Sequence, residues 1–185
     1  SILSQTELPD EIVIVNDGST DDSLESAKKF IEKNKNNIKI NIINQVNSGV
    51  SAARNNGVLA SRNNLIAFLD ADDEWYPEHL ETFFELTKKH QFCNVLAAGW
   101  HIKNRGKYWS NPYYKKNKKK GVIIIDIYKY LKIHSKNIDV IHTNAIAVKK
   151  DLLISSGMFP ISNCDCMRAG DGETWLRIML NNGLM

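Results

Sequence analysis

Short apolar runs alternate with helix-like segments through the first half of the chain, and this order restricts the possible folds more than any other sequence feature. The runs over residues 11–15, 38–43 and 65–69 are mostly apolar and end at turn-forming residues, which is typical of buried strands. Residues 24–31 and 50–60 lie between them and repeat apolar or small side chains at helical spacing. The sequence therefore predicts an α/β fold with a mostly parallel central sheet flanked by helices.

The second half of the chain follows a less regular pattern. The expected elements are a helix over residues 77–89, strands over 95–100 and 141–148, and helices over 149–156 and 174–181. Residues 104–120 combine Gly, Pro, Asn, aromatic residues and lysines, and we expect a flexible basic and aromatic loop there. Residues 122–131 fit a strand or a helix equally well. Because no repeat and no linker divides the chain, we expect a single domain over residues 1–185.

The charges, the apolar runs and the cysteines exclude several classes of protein. The chain has 24 Lys and Arg and 21 Asp and Glu, and a net charge of +3 gives no reason to expect a nucleic-acid partner. Each apolar run is shorter than the ~20 residues of a membrane span, and the N-terminus lacks the basic region of a secretory signal. Three cysteines cannot all pair, and Cys164 and Cys166 are too close in sequence for an ordinary disulfide. A reducing cytoplasm is therefore the expected location.

Acidic residues gather where two of the predicted strands end. Asp17 follows the first strand, and Asp70, Asp72 and Asp73 follow the strand over residues 65–69. Ligands of open α/β sheets bind at this end of the strands. Carboxylates so close together repel each other, and a divalent cation with a diphosphate ligand explains them, because Mg²⁺ is commonly held by one or two carboxylates and phosphate oxygens. The alternative is that both clusters are only solvated turns and helix caps.

Five segments of the sequence resemble the family 2 glycosyltransferases and occur in the order typical of that family. They are residues 1–6, 11–21, 47–55, 68–75 and 170–177. The resemblance implies the GT-A fold of the nucleotide-diphospho-sugar transferases. It also implies an inverting transfer of a sugar from a nucleoside diphosphate sugar, most commonly a UDP-sugar, to a hydroxyl of a saccharide or lipid-linked saccharide. The expected setting is the synthesis of bacterial cell-surface polysaccharide.

The resemblance also predicts what the chain lacks. Members of the family begin with a buried strand and a helix, and residues 1–6 resemble the end of that helix. We therefore expect a GT-A domain that is truncated at both ends and lacks its first strand.

Individual roles follow from the same resemblance. Asp17 matches the acid that hydrogen-bonds the nucleobase, and Arg54 matches the basic residue beside the nucleotide, where it would face the diphosphate. Asp70 and Asp72 match the DXD pair, with Asp70 directed to the ribose and the metal and Asp72 as the direct ligand of a Mn²⁺ or Mg²⁺ ion. Asp73 is expected to cap the next helix.

The general base is less sharply defined by the resemblance than the metal ligands. Asp171 matches the second acid of the family's Glu-Asp pair, which deprotonates the acceptor hydroxyl. The first acid is replaced by Gly170, and Glu173 follows two residues after Asp171. Residues two apart on a helix point about 200° from each other, so only one of these acids can face the acceptor. We predict Asp171 as the base and leave Glu173 as the alternative.

Basic and aromatic residues of the expected loop suggest contact with a membrane surface. The basic run over residues 115–120, which begins at Lys115 and ends at Lys120, follows Tyr108 and Trp109. Such a run would attract anionic lipids at the inner face of the cytoplasmic membrane and present a lipid-linked acceptor. A solvated loop is the alternative. His142 either faces the acceptor site or is a structural residue.

Two other functions remain open at this stage. A sugar nucleotidyltransferase also uses nucleoside diphosphate chemistry, although the segment around Trp175 and Arg177 after an acid favours a glycosyltransferase. Gly170, at a position where the family has an acid, favours an inactive nucleotide-binding relic. Metal-dependent sugar transfer is the function that we expect.

Overall fold

The computed structural model describes residues 1–33, 38–136, 138–161 and 170–181, except the side chain of Asn104. Cys164 and Cys166, for which no disulfide is expected, lie outside these residues. The strands are β1 (Glu11–Asp17), β2 (Lys39–Gln45), β3 (Leu65–Ala67), β4 (Val95–Ala97), β5 (His101–Asn104), β6 (Lys107–Ser110) and β7 (Ile146–Lys149). The helices are α1 (Ser23–Lys33), α2 (Val50–Ala60), α3 (His79–Lys89), α4 (Pro112–Asn117), α5 (Ile127–His134), α6 (Lys150–Ser155) and α7 (Gly170–Leu180).

The first two strands form the predicted parallel pair. β1 and β2 pair over seven residues each, and the pairing ends with Asp17 opposite Gln45. α2 packs against β1, where an added Cβ on Gly57 would lie 3.4 Å from Cγ2 of Val15. The end of β1 therefore lies beside the helix that carries Arg54.

A second sheet adds antiparallel pairing to the fold. β7 lies between β3 and β4 and is antiparallel to both. β3 and β4 have three residues each, fewer than the predicted strands over residues 65–69 and 95–100. β3 ends early because its partner β7 begins only after the 3₁₀ turn Thr143–Ala145. The chain beyond β3 is thereby free to form the loop that holds Asp70.

The region expected to be a loop contains regular structure. β5 and β6 form an antiparallel hairpin, and α4 follows directly. Asn111 caps α4, because its side-chain oxygen accepts a hydrogen bond from the backbone N–H of Tyr113 at 2.8 Å, and Pro112 occupies the first turn. The Gly, Pro and Asn residues of this region therefore mark a hairpin turn and a helix start.

The ambiguous segment that follows is resolved in favour of a helix, α5, after Asp126. The side chain of Asp126 accepts a hydrogen bond from the backbone N–H of Lys129 at 2.8 Å and so caps this helix. No helix in the described part of the chain, α5 included, is long and apolar enough to cross a membrane.

The main core lies against the antiparallel sheet and fixes the position of α7. Trp175 of α7 is 2% exposed and contacts the ring of Phe159, with the ring centroids 5.4 Å apart at an edge-to-face angle of 87°. Phe159 meets Phe68 in the same manner at 5.4 Å. Such aromatic pairs add about 0.5–1.5 kcal/mol beyond the burial of their surface. They hold the first turn of α7 beside the loop that follows β3.

A cavity of about 1170 Å³ lies between β1 and β3. Apolar residues of both strands line it, including Ile12, Ile14 and Ile66. Within the described residues β1 pairs only with β2, and β3 pairs only with β7. The two strands therefore turn unpaired edges toward one groove.

Candidate active site

Arg54 links Asp70 and Asp171, two of the acids that the sequence analysis assigned to the site. Its Nη2 donates to both carboxylate oxygens of Asp70, at 2.9 and 3.1 Å, and its Nη1 donates to Oδ1 of Asp171 at 2.6 Å. The Arg54 side chain is 11% exposed, whereas those of Asp70 and Asp171 are 36% and 43% exposed. One nearly buried cation thus joins two acids that both face solvent. The planar fork of arginine allows this arrangement, in which each of two guanidinium nitrogens contacts a different carboxylate.

The position of Arg54 follows from its neighbours in the fold. α2 carries it along the end of β1, and the guanidinium carbon lies 5.4 Å from the centroid of the Phe159 ring. Its Nε is buried and has no hydrogen-bond partner among the described residues. The Nε–H group is therefore a donor that neither Asp70 nor Asp171 uses.

Asp70 is also held by Asn144, a residue that the sequence did not single out as part of the site. The backbone N–H of Asp70 donates to Oδ1 of Asn144 at 2.7 Å, and Nδ2 of Asn144 donates to Oδ2 of Asp70 at 3.1 Å. Nδ2 also donates to Oδ2 of Asp73. The indole Nε1 of Trp75 donates to the backbone oxygen of Asn144 at 2.7 Å. Asn144 therefore fixes the shape of the loop after β3.

Asp171 receives a second hydrogen bond from Thr143. The hydroxyl of Thr143 donates to Oδ2 of Asp171 at 2.6 Å. Because Arg54 occupies Oδ1, each oxygen of this carboxylate has one donor. The side chain is held from two elements, α2 and the turn before β7.

Thr143 and Asn144 were missed as ligands of the acids because nothing local in the sequence links them to Asp70 or Asp171. Their one visible signal is that two adjacent polar residues begin an otherwise apolar run over residues 145–148. Both are buried, with 3% and 8% exposure. Buried polar side chains in that setting need partners, and the acids supply them.

Asp72 differs from Asp70 and Asp73 in having a free carboxylate. It is exposed, and it makes no hydrogen bond or ion pair within the described part of the chain. Asp73 does not cap α3, so that prediction is wrong. The helix begins at His79 with Glu78 as its cap residue, and Asp73 is turned toward Asn144 instead.

The carboxylates of Asp70 and Asp72 are compatible with a hard divalent cation, although they do not surround it completely. In the described residues no three His, Cys, Asp or Glu side chains converge as a metal-binding group. Asp72 offers an unoccupied carboxylate next to Asp70. Mg²⁺ and Mn²⁺ are commonly held by one or two carboxylates and completed by water and phosphate oxygens, so this pair fits such an ion.

Asp17 holds the loop that leads into α2. Its Oδ1 accepts from Nε2 of Gln45 and from the backbone N–H of Ser48, both at 2.7 Å, and its Oδ2 accepts from the backbone N–H of Gly49 at 2.9 Å. The next residue, Gly18, has φ +74, and an added Cβ there would lie 2.7 Å from the backbone nitrogen of Asn47. Asp17 thus has a structural task, and Oδ2 keeps a lone pair for a ligand.

Asp171 and Glu173 point to different neighbours. α7 begins at Gly170, so both acids belong to its first turn. Glu173 accepts from Nε of Arg177 at 2.6 Å, and Arg177 also donates to the backbone oxygen of Met158 at 2.7 Å. Only Asp171 of the two contacts Arg54. The two side chains therefore point in different directions from α7, as residues two apart on a helix must.

His142 stacks on an aromatic side chain beside the site. Its ring centroid lies 4.8 Å from that of Trp100, and its Nδ1 is buried without a hydrogen-bond partner among the described residues. It immediately precedes Thr143, but it contacts neither Asp70 nor Asp171 in any described hydrogen bond.

The sequence matches the family model named glycosyl transferase family 2 over residues 1–151. It is similar to YibD of Escherichia coli, an uncharacterised glycosyltransferase, with 36% identity over 115 residues that make up 60% of this chain and 32% of that protein. It is also similar to the glycosyltransferase GlyA of Streptococcus pneumoniae, with 42% identity over 104 residues, or 56% of this chain and 14% of that protein. The chain thus spans about a third or less of the length of these relatives.

Solved structures share the fold. The crystal structure of residues 1–349 of TarS from S. aureus matches with a TM-score of 0.71 and 21% identity, over 97% of this chain and 49% of that one. The same fragment in complex with UDP-GlcNAc matches with a TM-score of 0.69 and 21% identity, over 97% and 48% of the two chains. At this identity the likeness shows the fold alone, and it agrees with the predicted GT-A architecture.

Proposed function

The chain belongs to glycosyl transferase family 2, and we propose that it transfers a sugar from a nucleoside diphosphate sugar to a hydroxyl group with inversion at the anomeric carbon. The observation that carries this proposal is the arrangement around Arg54. That residue joins Asp70, on the loop after β3, to Asp171, at the start of α7. A donor-side acid and an acceptor-side acid thereby lie on opposite sides of one cation.

We propose UDP as the nucleotide of the donor. The uracil ring presents an N–H donor, and Asp17 has a lone pair on Oδ2 that can accept it. TarS, which shares the fold, has been crystallised with UDP-GlcNAc. Arg54, whose Nη1 and Nη2 lie between two partly exposed acids, would face the diphosphate.

We propose further that Asp72 and Asp70 hold a Mn²⁺ or Mg²⁺ ion when the donor binds. When bound, such an ion supplies positive charge that offsets the charge of the departing diphosphate. Asp72 is the residue free to bind it directly. Asp70 would contribute a lone pair that Arg54 and Asn144 do not use.

Asp171 is the general base of the proposed reaction. The acceptor oxygen attacks the anomeric carbon, the bond from that carbon to the phosphate oxygen breaks, and the nucleoside diphosphate leaves with the electron pair. The hydroxyl proton passes to the Asp171 carboxylate. A single attack from the face opposite the leaving group inverts the anomeric centre. Arg54 and Thr143 hold that carboxylate in place during the transfer.

The acceptor that we propose is a saccharide or a lipid-linked saccharide at the inner face of the bacterial cytoplasmic membrane. All five lysines of the basic run over residues 115–120 are exposed, as are Tyr108 and Trp109 on β6. This combination suits a peripheral contact with anionic lipids.

The experiment that tests the proposed function uses the whole protein with Mn²⁺. Release of free UDP is measured for a panel of UDP-sugars with and without saccharide acceptors. Acceptor-dependent release from one donor is the expected result. Binding of UDP without any release of UDP from any donor, with acceptors present, would instead favour an inactive nucleotide-binding relic.

A further inference from the structure

Two adjacent residues, Thr143 and Asn144, contact both acids of the proposed reaction. Thr143 donates to Asp171, and Asn144 exchanges hydrogen bonds with Asp70. The two acids belong to segments that are far apart in sequence. The turn Thr143–Ala145 is the one place among the described residues where side chains from consecutive positions reach both of them.

The turn that carries these residues is firmly held. The backbone N–H of Ala145 donates to the oxygen of His142 at 2.9 Å, and the backbone N–H of Ala98 donates to the oxygen of Ala145 at 2.8 Å. The chain then enters β7, the middle strand of the antiparallel sheet. Residues on so rigid a support can fix other side chains to within a fraction of an ångström.

Thr143 decides the orientation of the Asp171 carboxylate. Its hydroxyl has one proton to donate, and the 2.6 Å distance to Oδ2 shows where that proton goes. Arg54 donates to the other oxygen. Two donors on opposite oxygens remove rotation about the bond to the carboxylate, and each oxygen keeps a lone pair for an incoming hydroxyl.

Asn144 decides the shape of the donor-side loop. Its amide contacts the backbone and the side chain of Asp70 and the side chain of Asp73, and its backbone oxygen receives the indole N–H of Trp75. Two of the three aspartates are therefore hydrogen-bonded to Asn144. Asp72 is not, and its carboxylate is free within the described part of the chain.

We propose that Thr143 and Asn144 are positioning residues that serve two different steps, Thr143 acting through Asp171 on removal of the proton from the acceptor hydroxyl and Asn144 acting through Asp70 on donor binding. This inference rests on the proposed function, because it assigns the steps by the roles of the two acids. A purely structural role would predict that variants of both residues lower stability and leave kinetic constants unaltered.

The Thr143 step is tested with a matched pair of variants in the whole protein. Thr143→Val keeps the shape of the side chain and removes the donor, so kcat should fall by about 10- to 100-fold, the range expected for one hydrogen bond to a charged group. The donor KM and the Kd of UDP with Mn²⁺ should stay within about twofold. Thr143→Ser keeps the hydroxyl and should retain most of kcat. Wild-type kcat in Thr143→Val, or an equal loss in Thr143→Ser, would overturn the assignment.

The Asn144 step is tested by titration calorimetry with UDP and Mn²⁺. Asn144→Ala should raise the Kd of UDP by about tenfold, because Asp70 and its loop lose their common partner. Asn41→Ala, at an exposed position on β2, is the matched control and should leave the Kd unaltered. An unchanged Kd in Asn144→Ala would overturn this half of the proposal.

A double-mutant cycle separates this inference from the proposed function. The free energy of unfolding is measured for Thr143→Val, Asp171→Asn and the double variant. Direct contact predicts that the double variant loses less than the sum of the two single losses. If no UDP-sugar is consumed by the wild-type protein, the proposed function fails, and the cycle still decides whether Thr143 holds Asp171. Additive losses would overturn that contact. Thr143→Ala, which adds no methyl group, replaces the valine if that variant does not fold.

Discussion

Nη1 of Arg54 lies 2.6 Å from Oδ1 of Asp171, so the proposed base is held by the same side chain that holds Asp70. The two halves of the site are therefore linked through one guanidinium.

Replacing the proposed base should separate transfer from binding. We expect Asp171→Asn to lower kcat by at least about 100-fold, the usual contribution of a general base, with little effect on the Kd of UDP. Glu173→Gln removes an ion pair with the partly exposed Arg177, and should cost about 0.5 kcal/mol of unfolding free energy without loss of transfer. The rates of sugar transfer by the two variants, measured at saturating concentrations of the sugar donor, test this prediction. The reverse pattern would identify Glu173 as the base.

Metal dependence should reside mainly in Asp72. Asp72→Asn removes the one aspartate carboxylate of the loop that makes no hydrogen bond or ion pair within the described residues, and the affinity for UDP in the presence of Mn²⁺ should fall at least about tenfold. Asp151→Asn makes the same change of charge at an exposed position on α6 and serves as the control. Calorimetry with Mn²⁺ and with EDTA gives the comparison. Equal UDP binding under both conditions in the wild type would contradict the metal site.

Asp17 should discriminate between pyrimidine bases. UDP offers a ring N–H that CDP lacks, so the wild type should bind UDP more tightly than CDP. Asp17→Asn should reduce the ratio between the two affinities. Asp17→Ala leaves the backbone N–H groups of Ser48 and Gly49 without their partner and should also destabilise the fold by about 1–3 kcal/mol. Competition between the two nucleotides measures the preference. Equal affinities in the wild type would exclude base recognition.

His79 should make the protein less stable in mild acid. Burial between Trp75 and Phe83 lowers the pKa of His79 from 6.5 to about 4. The unfolded chain therefore binds a proton that the folded chain does not, so stability is fully present above pH 6.5 and falls as the pH drops toward about 4. Partial solvent contact limits the loss to about 2 kcal/mol.

The test for His79 is a series of denaturant unfolding curves between pH 4 and pH 7. His79→Phe keeps an aromatic ring in the stack and cannot be protonated, so the difference in unfolding free energy between variant and wild type should grow as the pH falls. A constant difference across this range would show that His79 does not carry the pH dependence.

The basic run should bind anionic lipid surfaces. Replacement of its five lysines by Gln should abolish co-sedimentation with vesicles that contain phosphatidylglycerol, because each lysine near such a surface contributes about 1 kcal/mol. Replacement by Arg keeps the charge and should keep the binding. Binding by the wild type should also weaken as salt is raised. No association with the vesicles at low salt would leave the run as a solvated surface.

Local patterns predicted the parts of the fold that depend on local chemistry. The β-branched run before Asp17 and the small-residue helix around Arg54 form the expected elements, since periodicity and turn residues act over a few positions. β7 pairs antiparallel to β3 and β4 through contacts between distant segments, which no window of sequence contains. The hairpin of β5 and β6 was missed because its turn residues resemble those of a loop.

The site shows the same division. Asp70 could be found from the acids at a predicted strand end and Asp171 from the resemblance to the family 2 glycosyltransferases, whereas Thr143 and Asn144 could not be connected with them. Their role depends on the turn before β7 lying beside two other segments. Burial of a polar pair is decided by the tertiary fold, and its partners are visible only there.

The groove between β1 and β3 has a practical consequence for work with these 185 residues in isolation. Each of its edges presents backbone N–H and C=O groups that can pair with an extended segment. The apolar side chains along the groove would be buried by such a segment, which favours its binding. An extended segment from a second molecule satisfies both edges at once. Oligomers that grow with protein concentration are therefore the expected behaviour in solution, and a fused strand able to enter the groove should return the sample to a monodisperse state.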